Sequence, residues 1–175
     1  FDGEPLYAHG TAPDAAEIAR RRRAYFAPYH AALQAELGRL RALHGRVVLY
    51  DAHSIRSLVP RLFDGELPNF NIGTNSGASC DSALTAAVEA ACDASGFSRV
   101  TNGRFKGGWT TRRYGQPEAG VHAIQMELAC RGYMDDPAGP PTPDTWPTAF
   151  EPARAAAMRV ALAQVLRAAL AFART

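Results

Sequence analysis

The stretch Arg46-Val47-Val48-Leu49-Tyr50-Asp51-Ala52-His53-Ser54 holds four large apolar residues in a row, preceded by the turn signal His44-Gly45 and followed by polar residues. This pattern predicts a strand buried on both faces of an α/β sheet. In such sheets functional groups gather at the carboxyl ends of strands, where Asp51 and His53 lie. An imidazole there can ligate a metal or carry a proton, and a neighbouring carboxylate can orient its ring. A packed structural histidine is the alternative.

The composition is that of an ordinary globular chain, with residues 1–175 in one domain. Of its residues, 47% are hydrophobic and 21% are charged, which leaves enough apolar side chains for a sizeable core. The formal charge is +2, and the dense basic run Arg20 to Arg23 lacks the interleaved aromatic residues of a nucleic-acid site. We therefore expect no nucleic-acid partner.

The cysteine content and the apolar runs bear on where the protein works. The chain has 3 cysteines, an odd number without metal-site spacing, which favours free thiols in a reducing compartment. No apolar run approaches the ~20 residues that cross a bilayer, and no signal peptide is visible. We therefore expect a cytoplasmic protein without a membrane partner.

Helical periodicity marks three segments. The first begins near Thr11 to Asp14, with a possible break near Pro28. The second runs from about Ser82 to Ser95, and the closing helix runs from Arg154 to Ala173. The apolar stripe of the first segment consists of Ile18, Tyr25, Tyr29, Leu33, Leu37, Leu40 and Leu43.

Strand patterns lie between these helices. A long loop from Ile55 to Ser79 includes a short strand near Ile72 to Thr74, and an edge-type strand covers Phe97 to Thr101. From Gly120 to Cys130 the residues alternate, with Val121, Ala123, Gln125 and Glu127 on one face. Glu127 is thus a carboxylate inside an apolar strand, which is costly unless it has a partner or a solvated site. We favour the functional interpretation over a structural one.

The segment Arg104-Phe105-Lys106-Gly107-Gly108-Trp109-Thr110-Thr111-Arg112-Arg113 surrounds two glycines with four cations. Adjacent glycines permit an unusual backbone or a close approach to a ligand, and the cations can clamp an anion. A solvated hairpin explains the same residues equally well.

Six motifs follow one another along most of the chain. They are Val-Val-Leu-Tyr-Asp-Ala-His-Ser-Ile-Arg-Ser at 47–57, Pro-Arg-Leu-Phe-Asp-Gly at 60–65, Asn-Ile-Gly-Thr-Asn at 71–75, Asn-Gly-Arg-Phe-Lys-Gly-Gly-Trp at 102–109, Arg-Tyr-Gly at 113–115 and Gln-Met-Glu-Leu at 125–128. Together they resemble the N-formylglutamate deformylase (N-formylglutamate amidohydrolase) family. The opening Phe-Asp-Gly-Glu-Pro-Leu-Tyr resembles the middle of that family, so residues 1–175 would be roughly the C-terminal two thirds of its domain.

The resemblance implies metal-dependent hydrolysis of N-formyl-L-glutamate to formate and L-glutamate, a reaction of histidine degradation. The implied fold is α/β, a mixed central sheet flanked by helices, similar to zinc carboxypeptidases and aspartoacylase. The implied cofactor is Zn²⁺ or another divalent metal. His53 would be its third ligand, the first two being a histidine and an acid upstream of everything in this chain. Glu127 would be the general base.

The substrate implied by the resemblance carries two carboxylates, which require cations, and arginine is favoured where a bidentate grip is needed. The candidate substrate-binding residues are Arg56, Asn71, Arg104, Lys106, Arg112 and Arg113. Two alternatives stay open: a related zinc amidohydrolase acting on another N-acyl amino acid, and a non-catalytic carboxylate-binding module. The sequence indicates no oligomeric state.

Overall fold

In the computed structural model, which describes residues 4–137 and 139–175, helices pack on one mixed sheet. The elements are α1 (Ala15–Arg21), a π-helical segment (Arg22–Phe26), α2 (Ala27–His44), β1 (Val47–Ile55), β2 (Phe70–Gly73), α3 (Ser82–Asp93), β3 (Arg99–Thr101), α4 (Trp109–Tyr114), a 3₁₀ turn (Pro117–Ala119), β4 (Val121–Ala129), a second 3₁₀ turn (Cys130–Gly132) and α5 (Pro152–Ala173). The strand order is β1-β4-β2-β3. Strands β1 and β4 pair in parallel, as do β2 and β3, whereas β2 and β4 are antiparallel. The predicted mixed α/β class is confirmed.

The strand predicted at 46–54 is β1, but it lies at the edge of the described sheet and not inside it. Only Val47 and Ile55 of its residues are buried, and Ala52, His53 and Ser54 are exposed. The interior strands are β4 and β2, both almost wholly buried. The expectation of burial on both faces is therefore met only in part: Val48 and Tyr50 pack on one face of the sheet and Val47 and Leu49 on the other, but of these four only Val47 is fully buried. A run of apolar residues indicates packing above and below a strand, but it does not give the strand's place in the order.

Helices cover both faces of the sheet. Helices α3 and α5 pack on one face, where the main core consists of Phe70, Ile72, Leu84, Val88, Ile124, Met126, Met158 and Val165 with smaller neighbours. Helices α2 and α4 pack on the other face, where Leu37, Val47 and Tyr114 form a smaller core. Because side chains alternate along a strand, the side chains of Gln125 and Glu127 continue this second face towards the end of β4.

The first helix widens where the sequence predicts a break. Pro28 has no N–H to donate, and in an α-helix its ring would clash with the carbonyl of Ala24, four residues earlier. The π-helical segment relieves this contact, because the N–H of Ala27 bonds instead to the carbonyl of Arg22, five residues back. The chain therefore continues as helix through the proline.

Only part of the apolar stripe predicted for the first helix packs against the sheet. Leu33, Leu37 and Leu40 pack against the sheet. The other members are exposed, so the prediction is wrong for Ile18, Tyr25, Tyr29 and Leu43. The extra residue in the wide turn shifts the phase of the helix that precedes it, so Ile18 and Tyr25 do not share the face of Leu33, Leu37 and Leu40. Tyr29 and Leu43 lie beyond the wide turn, and the shift does not explain their exposure.

The closing helix α5 begins two residues before its predicted start. One of its faces enters the main core, through Ala155, Met158, Ala161, Val165 and Ala169. By length and composition alone its 22 residues are long and apolar enough to cross a membrane. The expectation that no segment reaches this length is wrong, because three arginines interrupt the run without making it polar overall. A single helix of this kind is weak evidence of membrane insertion, since core helices pass the same test.

A groove of about 910 Å³ opens at the amino end of β1, between the carboxyl ends of α2 and α5. Its lining is mainly apolar, with Leu40, Val47, Val48, Tyr50, Leu166 and Leu170 among the residues that face it. None of the candidate catalytic or substrate-binding residues takes part in it. The groove is therefore separate from the chemistry considered below.

The cysteines are all free and buried, as the sequence predicts. Burial raises the pKa of Cys80, of Cys130 and of Cys92, the last to about 12. Because the thiolate is the reactive form, these side chains stay protonated and inert near neutral pH.

His122 is a structural imidazole on the face of β4 opposite Glu127. The backbone N–H of Asp81 donates to its Nδ1 at 3.1 Å, and its ring packs edge-on against Phe172 with centroids 4.9 Å apart. Burial, and secondarily the charge of Arg46, lowers the pKa of His122. The folded chain therefore favours the neutral ring.

We expect the free energy of unfolding to fall as the pH drops below about 6.5, the ordinary histidine pKa. Below that value the unfolded chain protonates His122 while the folded chain resists, so the unfolded state binds more protons. The loss levels off below the folded pKa. Urea unfolding at about pH 7.5 and about pH 5.5 measures the effect. His122→Asn, whose side-chain oxygen replaces Nδ1 as the acceptor for Asp81 but does not titrate, should flatten the dependence, and an unchanged slope would contradict this assignment.

Candidate active site

The candidate site is built across neighbouring strands. In the parallel register of β1 and β4, Asp51 lies beside Gln125 and His53 beside Glu127. On the other side of β4, β2 places Asn71 beside Glu127. Cross-strand neighbours point to the same face of a sheet. The structure therefore brings together three of the predicted site residues, His53, Glu127 and Asn71, in one row.

Glu127 is a buried acid with one defined side-chain partner. It is 6% exposed, and the Nε2 of Gln125 donates to its Oε2 at 3.2 Å. Burial raises the pKa of Glu127, the charge of His53 and the Gln125 hydrogen bond lower it, and the nearby Asp51 raises it again. The net shift is upward. A carboxyl group with a raised pKa, held in place by a neighbour, is suited to proton transfer.

His53 lies on the open side of the same row. Its side chain is 47% exposed, and its Nε2 is 3.1 Å from Oδ1 of Asp51. A carboxylate at one ring nitrogen fixes the ring and leaves the other nitrogen available to a ligand. The Oδ2 atom of Asp51 is buried and, among the described residues, has no hydrogen-bond partner.

The glycine-rich segment, residues 104–113, packs tightly against the sheet and does not form the hairpin that we considered. Gly107 has a φ of +113°, and a Cβ atom on Gly73 of β2 would lie 2.5 Å from the Gly107 nitrogen. This close approach requires glycine at both positions. The N–H of Gly108 donates to Oε1 of Gln125 at 2.6 Å. The segment is thereby joined to the strand that carries Glu127, and α4 follows directly.

Asn71 and Thr111 contribute polar atoms that lack partners. The Nδ2 of Asn71 donates to the carbonyls of Pro68 at 2.7 Å and Glu127 at 3.1 Å, so the orientation of its amide is fixed. Its Oδ1 and the Oγ1 of Thr111 are buried with no hydrogen-bond partner within the described part of the chain. Leaving such an atom unsatisfied costs ~1–3 kcal/mol. Orphaned polar atoms on β1, β2 and α4 are what a ligand-binding site would leave for its ligand.

Arg56, one of the predicted substrate-binding residues, is occupied by a surface loop. Its Nε lies 3.4 Å from Oδ1 of Asp136, and its Nη2 donates to the carbonyls of Pro137 and Gly139. The guanidinium also packs over the ring of Trp146 at 5.4 Å. These contacts give Arg56 a structural task, because they use the donors that a substrate carboxylate would need.

The remaining predicted cations differ in whether their donors already have hydrogen-bond partners. Arg104 donates to the carbonyl of Leu62 in the preceding loop at 2.6 Å, and Arg112 donates to the carbonyl of Gly107, two residues before its own helix, at 2.7 Å. Lys106 and Arg113 are exposed. Arg113 contacts the ring of Tyr114 at 5.9 Å, and within the described ranges neither cation has an ion-pair partner. Lys106 and Arg113 are thus the most available of the predicted anion-binding groups.

An aromatic cluster that sequence reasoning missed joins α2 to α4. Trp109 packs against His30 at 4.5 Å and Phe26 at 5.4 Å between ring centroids. The Nδ1 of His30 is 2.8 Å from the hydroxyl of Tyr114. Phe26 and His30 lie four residues apart on one helix face, which was the available signal. The cluster fixes the start of α4, and with it the glycine-rich segment.

The residues in this row do not form a complete metal centre by themselves. Across residues 4–137 and 139–175, no group of three or more His, Cys, Asp or Glu side chains is arranged to hold a metal ion. Catalytic zinc takes three protein ligands and a water molecule. His53 can supply one imidazole, so the donors present fit a metal site only in part.

Comparison with known proteins decides the family. A profile described as N-formylglutamate amidohydrolase matches residues 1–134. The chain belongs to the N-formylglutamate amidohydrolase family. It is 52% identical over 175 residues to an N-formylglutamate deformylase of Pseudomonas aeruginosa, covering 99% of this chain and 63% of that protein. It is 46% identical over 173 residues to an N-formylglutamate deformylase of Pseudomonas putida, covering 98% of this chain and 62% of that protein.

One solved structure agrees with the family assignment, and a second shares the fold. The fold is similar to that of an N-formylglutamate amidohydrolase from Ralstonia eutropha JMP134, with a TM-score of 0.72, 25% identity, and coverage of 88% of this chain and 55% of that one. A gene product of Agrobacterium tumefaciens shares the fold with a TM-score of 0.61 and 20% identity, covering 93% and 56%. The chain thus spans less than two thirds of the length of each of these relatives.

Proposed function

We propose that this chain is part of an enzyme that hydrolyses N-formyl-L-glutamate to formate and L-glutamate, a reaction of histidine degradation. One observation carries the proposal: buried Glu127, held by Gln125, stands beside His53 on paired strands. The deformylase names of the two curated relatives support the same reaction. We further propose a fold of the zinc carboxypeptidase and aspartoacylase type and a cytoplasmic location, the latter supported by three buried free thiols.

Glu127 would serve as general base and then as general acid. Its carboxylate takes a proton from a water molecule as the water oxygen bonds to the formyl carbon. The C–N bond then breaks, and the same proton passes to the leaving nitrogen. Burial favours the protonated carboxyl group, which helps it to hold the proton between the two transfers. The hydrogen bond from Gln125 keeps the carboxylate oriented during both.

We also propose Zn²⁺, or another divalent ion, as the cofactor, with His53 as the ligand that this chain supplies. When bound, such an ion would polarise the formyl carbonyl. The carboxylate of Asp51, 3.1 Å from the ring of His53, would hold that ring in the orientation that ligation requires.

The substrate carboxylates would be bound by cations of the glycine-rich segment and α4. Arg113→Ala is expected to raise KM by ~30-fold, because loss of one charge-paired guanidinium costs about 2 kcal/mol at the low end of measured pairs. Arg113→Lys should recover part of this, since lysine lacks the planar fork. Steady-state kinetics measure both, with Arg159→Ala on α5 as an exposed control. A KM equal to that of the parent in Arg113→Ala would place the carboxylate clamp elsewhere.

The decisive experiment measures formate release from N-formyl-L-glutamate, with and without a chelator, by a protein that carries the complete family domain. N-acetyl-L-glutamate and formylated neutral amino acids serve as parallel substrates. Release that is specific for N-formyl-L-glutamate and sensitive to the chelator supports the proposal. Preference for another N-acyl amino acid would identify a related amidohydrolase, and ligand binding without turnover would identify a carboxylate-binding module.

A further inference from the structure

Gln125 makes two hydrogen bonds that cannot be exchanged with each other. Its Oε1 accepts from the N–H of Gly108 at 2.6 Å, and its Nε2 donates to Oε2 of Glu127 at 3.2 Å. Turning the amide over would set an NH₂ group against an N–H and an oxygen against a carboxylate. With the side chain 4% exposed, water offers no substitute partner. The amide is therefore fixed at both ends.

The two partners belong to different parts of the candidate site. Glu127 is on an interior strand of the sheet, whereas Gly108 lies within the glycine-rich segment, directly before the first residue of α4. That segment is also held by the N–H of Asn75, which donates to the carbonyl of Lys106 at 2.6 Å. Its freely exposed cations, Lys106 and Arg113, lie on either side of Gly108. Any shift of Gly108 on meeting an anion therefore strains its hydrogen bond to the Gln125 amide.

We propose that Gln125 is a positioning residue that couples the place of the Gly107-Gly108 turn to the orientation of the Glu127 carboxylate. The inference rests on the proposed function for its catalytic meaning, but the coupling itself is a property of the fold. When a substrate carboxylate binds the cations beside the turn, the Gly108 N–H holds Oε1, and Nε2 in turn holds Glu127 for proton transfer. Recognition of the charged end of the substrate thereby prepares the proton-transfer group.

Two substitutions separate the two ends of the amide. Gln125→Glu keeps an oxygen acceptor for Gly108 but replaces the amide donor with a second carboxyl group, which at this distance shares a proton with Glu127 and so hinders Glu127 from taking a proton from water. Gln125→Met has a similar length and removes both contacts. A glutamine that only fills space would give the same pattern of kinetics in both variants, whereas a coupling residue would not.

Amide hydrogen exchange of Gly108, followed by NMR in this chain, tests the coupling without any substrate. In Gln125→Met we expect exchange to accelerate by roughly 5 to 10-fold, the equivalent of one net hydrogen bond. In Gln125→Glu it should stay near the parent rate, because the new carboxyl group still accepts from Gly108 and is held at its other end by the proton that it shares with Glu127. Because coupling is reciprocal, Glu127→Leu should also accelerate exchange at Gly108 through the released amide. The amide of Gly115, which donates to the Thr111 carbonyl within α4, is the internal control.

Kinetics of the complete family domain test the catalytic meaning. Gln125→Glu should lower kcat by ~10 to 100-fold with KM near the parent value, and Gln125→Met should lower kcat similarly and raise KM as well. Equal KM values in the two variants would overturn the coupling, as would unchanged Gly108 exchange in Gln125→Met. If the parent does not hydrolyse N-formyl-L-glutamate, the proposed function fails. Exchange at Gly108 then decides the coupling alone: acceleration in both Gln125→Met and Glu127→Leu supports it, and its absence in either overturns it.

Discussion

Glu127→Gln is expected to lower the turnover of N-formyl-L-glutamate by ~10² to 10⁴-fold, the range typical of a lost general acid–base group. The substituted amide keeps the size and planar shape of the carboxyl group, and its oxygen can still accept from Nε2 of Gln125. What it loses is the ability to take a proton from water. The measurement is kcat in a protein that carries the complete family domain, with Glu118→Gln as an exposed control on the 3₁₀ turn before β4.

The stability of Glu127→Gln distinguishes lost chemistry from lost structure. Because burial raises the pKa of Glu127, the folded chain disfavours the ionised form, and stability is lost as the pH rises through that folded pKa. A neutral amide removes this cost. We therefore expect the free energy of unfolding at neutral pH to be equal to or above that of the parent. Turnover equal to that of the parent would remove Glu127 from the mechanism. Loss of folding in Glu127→Gln would contradict the expected stability.

Phe70→Ala is expected to cost about 3–5 kcal/mol of folding free energy, the range for a phenylalanine removed from a close-packed core. Phe70 is fully buried on an interior strand, and its ring meets that of Phe97 edge-to-face at 5.8 Å between centroids. The cavity would open between the sheet and its helices, where rigid strands on either side limit collapse. Urea unfolding of this chain gives the difference directly.

Two further variants show whether the loss at position 70 is due to packing. Phe70→Leu, which leaves a smaller cavity and loses the ring contact, should cost clearly less than the alanine variant. Phe150→Ala removes the same side chain from a site where it is 63% exposed, and should change stability by less than about 0.5 kcal/mol. A Phe70→Ala cost similar to that of Phe150→Ala would contradict the assignment of the main core.

Local patterns were sufficient for most elements of the fold. The alternation from Gly120 to Cys130 predicted β4 and the face that Glu127 shares with Gln125, because strand period depends only on neighbouring residues. The helix from Ser82 was predicted from its apolar spacing and its stop at Gly96. The order of strands was not predictable in this way. The edge position of β1 depends on which distant segments pair with each side of β4. The sequence of β1 alone does not determine that pairing.

The sequence predicted the row of His53, Glu127 and Asn71 better than it predicted the cations around them. His53 and Glu127 were identified from residue type and strand position, and β1–β4 register brings them together. Whether their predicted roles are right stays a prediction. The positions of the cations in the sequence could not show that Arg56 is already bound by the loop that contains Asp136, because that contact joins residues 80 apart in the chain. The sequence also could not show that the N–H of Gly108 donates to Gln125, because the direction of a backbone N–H is set by the fold.

The unequal positions of His53 and Glu127 give their surroundings different tolerance to substitution in this chain. Glu127 is enclosed by the chain's own core, so a substitution that alters its surroundings also alters packing. His53 lies on a strand at the edge of the described sheet with 47% of its side chain exposed, so substitutions around it disturb few packed neighbours among the described residues. A stability scan of this chain is therefore expected to find substitutions tolerated around His53 and costly around Glu127.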